Sequence, residues 1–285
     1  KKPRQRGGMI FDARYWRTFG CSEAEVAFKR RLTLLSVFGL VGLAFTLTST
    51  ASWTTLEFSG RRLAFASVNL MATSVAWVVD TFGSPPVEKG TGPYEVSRTI
   101  GPLAYFTKQA LTAQQIHSAA TFCGELTTTH LTETHALASA VATVALSLTL
   151  LFLKLNWFEE TWRDEALRPW LKRGLPADVI FLTSHLVSAP VAVVDIMLVQ
   201  RRRSSFYADA STSALVLTFY GLFFVGLTLA NAKLTGGFFP YPFMRQFRTP
   251  AHWLLFTTVV LAFVLGVVLP IVLALGAIAN AGGLA

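Results

Sequence analysis

Two apolar runs joined by a short basic hinge constrain this chain more than any other feature. Val179–Val199 and Ser213–Ala232 flank Arg201, Arg202 and Arg203. Each run has about the 20 residues that a helix needs to cross the hydrocarbon core of a bilayer. A backbone in hydrocarbon must satisfy its own hydrogen bonds, so runs of this kind fold as helices that pack on one another. Composition extends this to the whole chain. Of its 285 residues 52% are hydrophobic and 14% charged, against about 25% charged in a soluble domain. The predicted class is an all-α polytopic integral membrane protein, one membrane domain of about six transmembrane helices.

The net charge of +9 is concentrated at the start, where nine Lys and Arg lie in the first 31 residues. In a membrane protein such an excess orients the chain and contacts anionic head groups. No basic stretch accompanies a nucleic-acid-binding motif, so no nucleic-acid partner is expected. Cys21 and Cys123 form no disulfide framework.

Along the chain, residues 1–31 form a basic extension. Ser22, Glu23 and Glu25 followed by Val26, Phe28 and Leu32 predict an interfacial helix. Residues 32–82 carry the first two spans, Leu32–Ser52 and Leu63–Val79, separated by Gly60, Arg61 and Arg62. Residues 83–135 open in Gly83-Ser-Pro-Pro86 and turn polar. They are expected to form an extramembrane loop insertion, with an amphipathic helix over Leu103–Gln115. Its His117, Cys123, Glu125, His130, Glu133 and His135 invite a metal-site reading, but His130 and His135 are five apart and share no helical face; no metal is expected. Residues 136–285 hold four further spans: Leu137–Leu155, the two opening runs, and His252–Ala277, bent near Pro270. With six spans, the side bearing the N-terminus carries 15 Lys and Arg against 10 opposite. This predicts a cytoplasmic or matrix-facing N-terminus.

Ionisable groups inside an apolar run are costly, so His185 and Asp195 are candidate functional residues. His185-x4-Pro190-x4-Asp195, a basic hinge with Tyr207, and Gly237-x-Phe-Pro-Tyr-Pro242 resemble the androgen-induced-gene-1-like family, as does Phe58-Ser-Gly-Arg-Arg62 followed by Asn69. The likeness covers about 200 of the 285 residues. It implies a six-span membrane protein that cleaves fatty acid esters of hydroxy fatty acids with a Thr and a His inside the membrane. A gapless register on Gly60, Arg61 and Asn69 puts Ala66 at the family's nucleophilic Thr, and an Ala has no hydroxyl to acylate. Ser67 is adjacent but about 100° further round the helix. The family's Asn-His pair on the fourth span is matched by Phe181 and Leu182.

Two roles follow from these departures. The first is a degenerate member without catalysis, a scaffold or accessory subunit bound to other membrane subunits and lipids. Its expected location is an energy-transducing membrane such as the mitochondrial inner membrane, N-terminus on the matrix side, in a respiratory or ATP synthase complex. The alternative is an intramembrane hydrolase with Ser67 as nucleophile, His185 as base, and Asn69 or Thr73 supporting an oxyanion. The few charges within spans weigh against a transporter or channel. Both leading roles predict no cofactor and a bound lipid, a phospholipid or acyl chain, in a groove near Phe65, Ala66, Asn69, His185 and Asp195.

Overall fold

The computed structural model describes residues 53–55, 59–83, 105–154, 177–200 and 210–281. The expected interfacial helix and the span over 32–52 lie outside the described residues. Helices dominate: α1 Gly60–Gly83, α2 Phe106–Thr127, α3 Thr132–Phe152, α4 Ala177–Leu186, α5 Ser188–Val194, α6 Ala210–Leu234, α7 Pro250–Phe263 and α8 Leu269–Ala281. Two three-residue strands, β1 Trp53–Thr55 and β2 Thr129–Leu131, pair antiparallel with Thr54 opposite His130. They are the one departure from the all-α expectation. Thr128, in the left-handed conformation at φ 56° with its N–H bonded to the Gly124 carbonyl, turns the chain from α2 into β2.

Four segments are long and apolar enough to cross a membrane: Gly60–Asp80, Leu182–Val199, Ala210–Leu234 and Pro250–Ala279. Leu137–Phe152 is apolar but shorter. The chain is thus a helical membrane protein.

Prolines shape two of the segments. Pro190 has no N–H to give the Leu186 carbonyl, and the segment Leu182–Val199 breaks there, α4 ending at Leu186 and α5 starting at Ser188. It then closes in a π turn, Asp195–Val199, with the Gln200 N–H on the Asp195 carbonyl at 2.8 Å. Pro270 acts likewise: a π turn at Val264–Val268 precedes it and joins α7 to α8. Between α6 and α7 the chain reverses at Gly236 and Gly237, whose φ values of 73° and 101° suit glycine. The reversal leads into a 3-10 turn at Pro242–Gln246.

Side-chain contacts fix the direction of each rod. Asp80 meets Lys108 at one end of the α1–α2 pair and Arg62 meets Glu125 at the other, so these helices are antiparallel. Phe152 stacks on His185, while Ala138 and Ala142 pack with Ala192 and Ile196, so α3 runs against α4–α5. Ser139 bonds Ser213, and Leu151 and Phe224 share a cavity wall further along, so α6 runs with α3. Trp253 lies against Phe224, and Val272 against Ala138, so α7–α8 runs the opposite way. The described rods therefore alternate in direction.

The close α3–α5–α8 seam is built on Ala138, Ala142, Ala145 and Ala192. Small residues allow helix backbones to approach, which is how helices associate where lipid removes the hydrophobic incentive. Outward faces carry large apolar side chains, among them Phe219, Phe223, Leu254 and Leu255.

Within the expected insertion over 83–135, the amphipathic helix expected over Leu103–Gln115 overlaps a longer one at 106–127. That stretch is a 22-residue helix inside the bundle, with Thr107, Gln114, His117, Thr121 and Glu125 all buried. Its polar composition reflects polar neighbours. Trp77 Nε1 donates to Thr112 Oγ1 at 3.2 Å and Gln115 Nε2 to Ser74 Oγ at 2.8 Å.

Candidate active site

The face of α2 turned to α4–α5 is a ladder of polar rungs. Thr107 Oγ1 lies 3.0 Å from His185 Nε2. Gln114 Nε2 donates to the Ser188 carbonyl at 2.9 Å. His117 Nε2 lies 3.0 Å from Asp195 Oδ2, and Gln200 Nε2 reaches Thr121 Oγ1 at 3.5 Å. Both chains ascend together, so α2 and α4–α5 are parallel. Positions 107, 114, 117 and 121 recur at helical spacing, which puts them on one stripe.

The first rung has the chemistry. His185 is held on all sides. Its carbonyl, in the turn that Pro190 interrupts, accepts from Thr149 Oγ1 at 2.6 Å. Phe152 stacks on its ring, centroids 4.0 Å apart. Ser184 Oγ lies 2.9 Å from Nδ1. The tautomer that donates Nδ1–H to Ser184 leaves Nε2 to accept from the Thr107 hydroxyl. In that form the arrangement can serve as a nucleophile on a base, with a third group orienting the base. The orienting group is a neutral hydroxyl. Asp195 is ten residues further along, about 15 Å on a helix, and serves His117 instead.

Thr107 and His185 line a cavity of ≈ 110 Å³ whose walls include Leu148, Phe152, Leu217, Phe224 and Val260. Those walls come from α3, α6 and α7, and are mostly apolar. At its rim the 3-10 turn presents Tyr241, whose Oη accepts from the Phe106 N–H at 2.9 Å. Tyr241 stacks on Phe243 and meets Tyr105 edge-on. Burial pushes the Tyr241 phenol up to about 12, against the opposing effect of its contacts with Thr107 and the Phe106 N–H. Burial likewise raises Tyr105.

The sequence-predicted residues divide. His185 is at the site. Ser67 is not its partner: its hydroxyl donates back to the Leu63 carbonyl at 2.7 Å, within α1. Ala66 and Asn69 are buried on α1, which packs against α4, α5 and the π turn. Neither they nor Phe65 nor Asp195 line the large cavity. The cavity lies among α2, α3, α4, α6 and α7, with no residue of α1 in its walls. Thr73 bonds the Asn69 carbonyl at 2.9 Å, also within α1. The residue missed is Thr107. Its local signal was slight, a hydroxyl after Tyr105-Phe106 at the start of a polar helix. Among the described residues no group of His, Cys, Asp and Glu has the arrangement of a metal site.

No known protein family, curated protein or solved structure matches this chain.

Proposed function

We propose that the protein is an intramembrane hydrolase of long-chain acyl esters, with Thr107 as nucleophile and His185 as general base. The observation that carries this is the 3.0 Å Thr107–His185 contact on the wall of an apolar cavity. Thr107 Oγ attacks the ester carbonyl as His185 Nε2 takes its proton, then returns it to the departing alcohol oxygen. The acyl group is left on Thr107, and water releases it as the free acid. The Tyr241 O–H is the donor placed to meet the oxyanion, its own oxygen already held by the Phe106 N–H. The acyl chain takes the apolar cavity. The androgen-induced-gene-1-like resemblance also implies a Thr and a His, but its register puts the Thr at Ala66, so Thr107 rests on the geometry alone.

The test is direct. Purified protein in nanodiscs, given a long-chain acyl p-nitrophenyl ester, is expected to gain one acyl mass on the peptide containing Thr107. Without acylation or turnover, a non-catalytic scaffold among other membrane subunits takes precedence, and a native gel would show its assembly.

Among the described residues this reading gives six crossings. Because α2 lies rung by rung beside a segment able to span, we assign it as a spanning helix, shielded from lipid by its neighbours. The spans are then α1, α2, α3, α4–α5, α6 and α7–α8. In a variant lacking Cys21 and Cys123, Tyr105→Cys and Thr128→Cys should react with an impermeant maleimide from opposite faces of sealed vesicles. Labelling from one face would return α2 to the surface.

Tyr241→Phe is expected to lower kcat by about 100-fold, as loss of an oxyanion donor does, with KM little changed. The sign of the alkaline effect follows from the raised phenol. Its neutral form is favoured by folding, so this stability is complete below about pH 10, the unfolded value. It is lost as pH rises toward about 12. Thermal melts from pH 9 to 12 should fall less steeply for Tyr241→Phe than for wild type.

A further inference from the structure

About two to three helical turns along α2 and α5 from the dyad lies a second, smaller cavity of ≈ 10 Å³, bounded by Gln114, His117, Ser118 and Asp195 with Val141, Ala142, Val191 and Ala192. This is about the space one water requires, and a buried water needs two to four polar partners. Gln114 supplies one: its Nε2 is committed to the Ser188 carbonyl, while Oε1 is buried with no partner. His117 and Asp195 supply others. Ser188 Oγ, one turn beyond His185, is also buried without a partner. The large cavity offers water nothing comparable, since its walls are mostly apolar and the acyl chain fills it.

We propose that this cavity binds the water that hydrolyses the acyl-Thr107 ester, and that Ser188 relays it to His185. The inference rests on the hydrolase reading above. In the deacylation step the water oxygen bonds to the acyl carbonyl carbon while a water proton passes to His185 Nε2. The tetrahedral intermediate then collapses, the carbon–Thr107 oxygen bond breaks, and that proton goes to Thr107 Oγ. The products are the free acid and the regenerated threonine. The polar file continues through His117, Asp195, Gln200 and Thr121 toward Glu125 and Arg62.

The experiment separates acylation from deacylation. Gln114→Leu removes the water's partner, and Val191→Ile adds one methyl group to the facing wall. Both are assayed in nanodiscs with a long-chain acyl p-nitrophenyl ester. The burst of nitrophenol should be preserved while steady-state turnover falls about tenfold or more, the scale on which misplacing a reactant acts. Intact-protein mass, followed after the substrate is exhausted, should then show the acyl-enzyme persisting longer in both variants than in wild type. An unchanged turnover with an intact burst in either correctly folded variant overturns the water assignment. Absence of both acylation and turnover in wild type overturns the hydrolase reading instead. Should Gln114→Leu fail to give a monodisperse protein, Val191→Ile, which leaves every polar group in place, decides alone.

Discussion

Thr107→Ala is expected to abolish acyl transfer, lowering kcat by at least ~10³-fold, while the protein purifies and melts as wild type does. Removing a nucleophile costs as much as removing the whole catalytic set, because the residues act as a unit. His185→Ala should therefore be about as damaging, and the double variant scarcely worse than either. Thr107→Ser keeps the hydroxyl and should retain acylation. Ser67→Ala, by contrast, should be close to wild type, since the Ser67 hydroxyl is bonded within its own helix to the Leu63 carbonyl. The contrast between the two positions is the sharp part. A chain whose activity falls with Ser67→Ala and survives Thr107→Ala would place the chemistry on α1 and sink the assignment. Stability is not what should move, because the Thr107–His185 contact is a single rung. Interhelical hydrogen bonds in membranes average only about 0.6 kcal/mol.

Which parts of this were legible in the sequence follows from what hydropathy measures. Segments facing lipid announce themselves by their apolar side chains: those that became α1, α4–α5, α6 and α7–α8 coincide with apolar runs. The bend expected near Pro270 lies beside the π turn at Val264–Val268, for the reason that proline lacks a donor. His185 and Asp195 stood out because each is an ionisable residue in an apolar run, and both are buried and paired. The helix α2 was legible only in its first half, where an amphipathic helix is expected over Leu103–Gln115, and its packing inside the bundle was not. Lys108, Gln114, Gln115, His117 and Glu125 make it read as surface, yet α1, α3 and α4–α5 surround it. A helix ringed by protein owes lipid nothing, and each of these five side chains has a polar partner, in turn Asp80, the Ser188 carbonyl, Ser74, Asp195 and Arg62. Partners as far apart in sequence as Thr107 and His185 leave no local spacing to detect. The register that put Ala66 at a nucleophilic position compared two short stretches, and a helix face cannot be chosen from so few residues. Only the fold chooses it.

The third rung carries the largest expected effect on stability, and its two halves are unequal. His117 and Asp195 are both buried, 3.0 Å apart. Removing one member of such a pair typically costs about 3–5 kcal/mol, because the other is left as an uncompensated buried charge. Which member is removed matters. An imidazole left alone is neutral in one of its ordinary forms, with one nitrogen to donate and one to accept. A carboxylate left alone keeps its charge, or must take up a proton to lose it. His117→Leu is therefore expected to destabilise by about 3 kcal/mol, softened by the Gln200 amide, which still donates to Asp195 at 3.2 Å. Asp195→Leu should cost less, about 1–2 kcal/mol, the scale of leaving a neutral buried polar group unpaired. The double variant His117→Leu/Asp195→Leu should return close to wild type, since apolar replacement of both partners is often neutral. Denaturant titration in mild detergent, read by tryptophan fluorescence, gives the full cycle. Equal losses for the two single variants, with no recovery in the double, would mean that packing and not charge holds α2 to the fourth rod at this level. The ladder would then position Thr107 by shape alone.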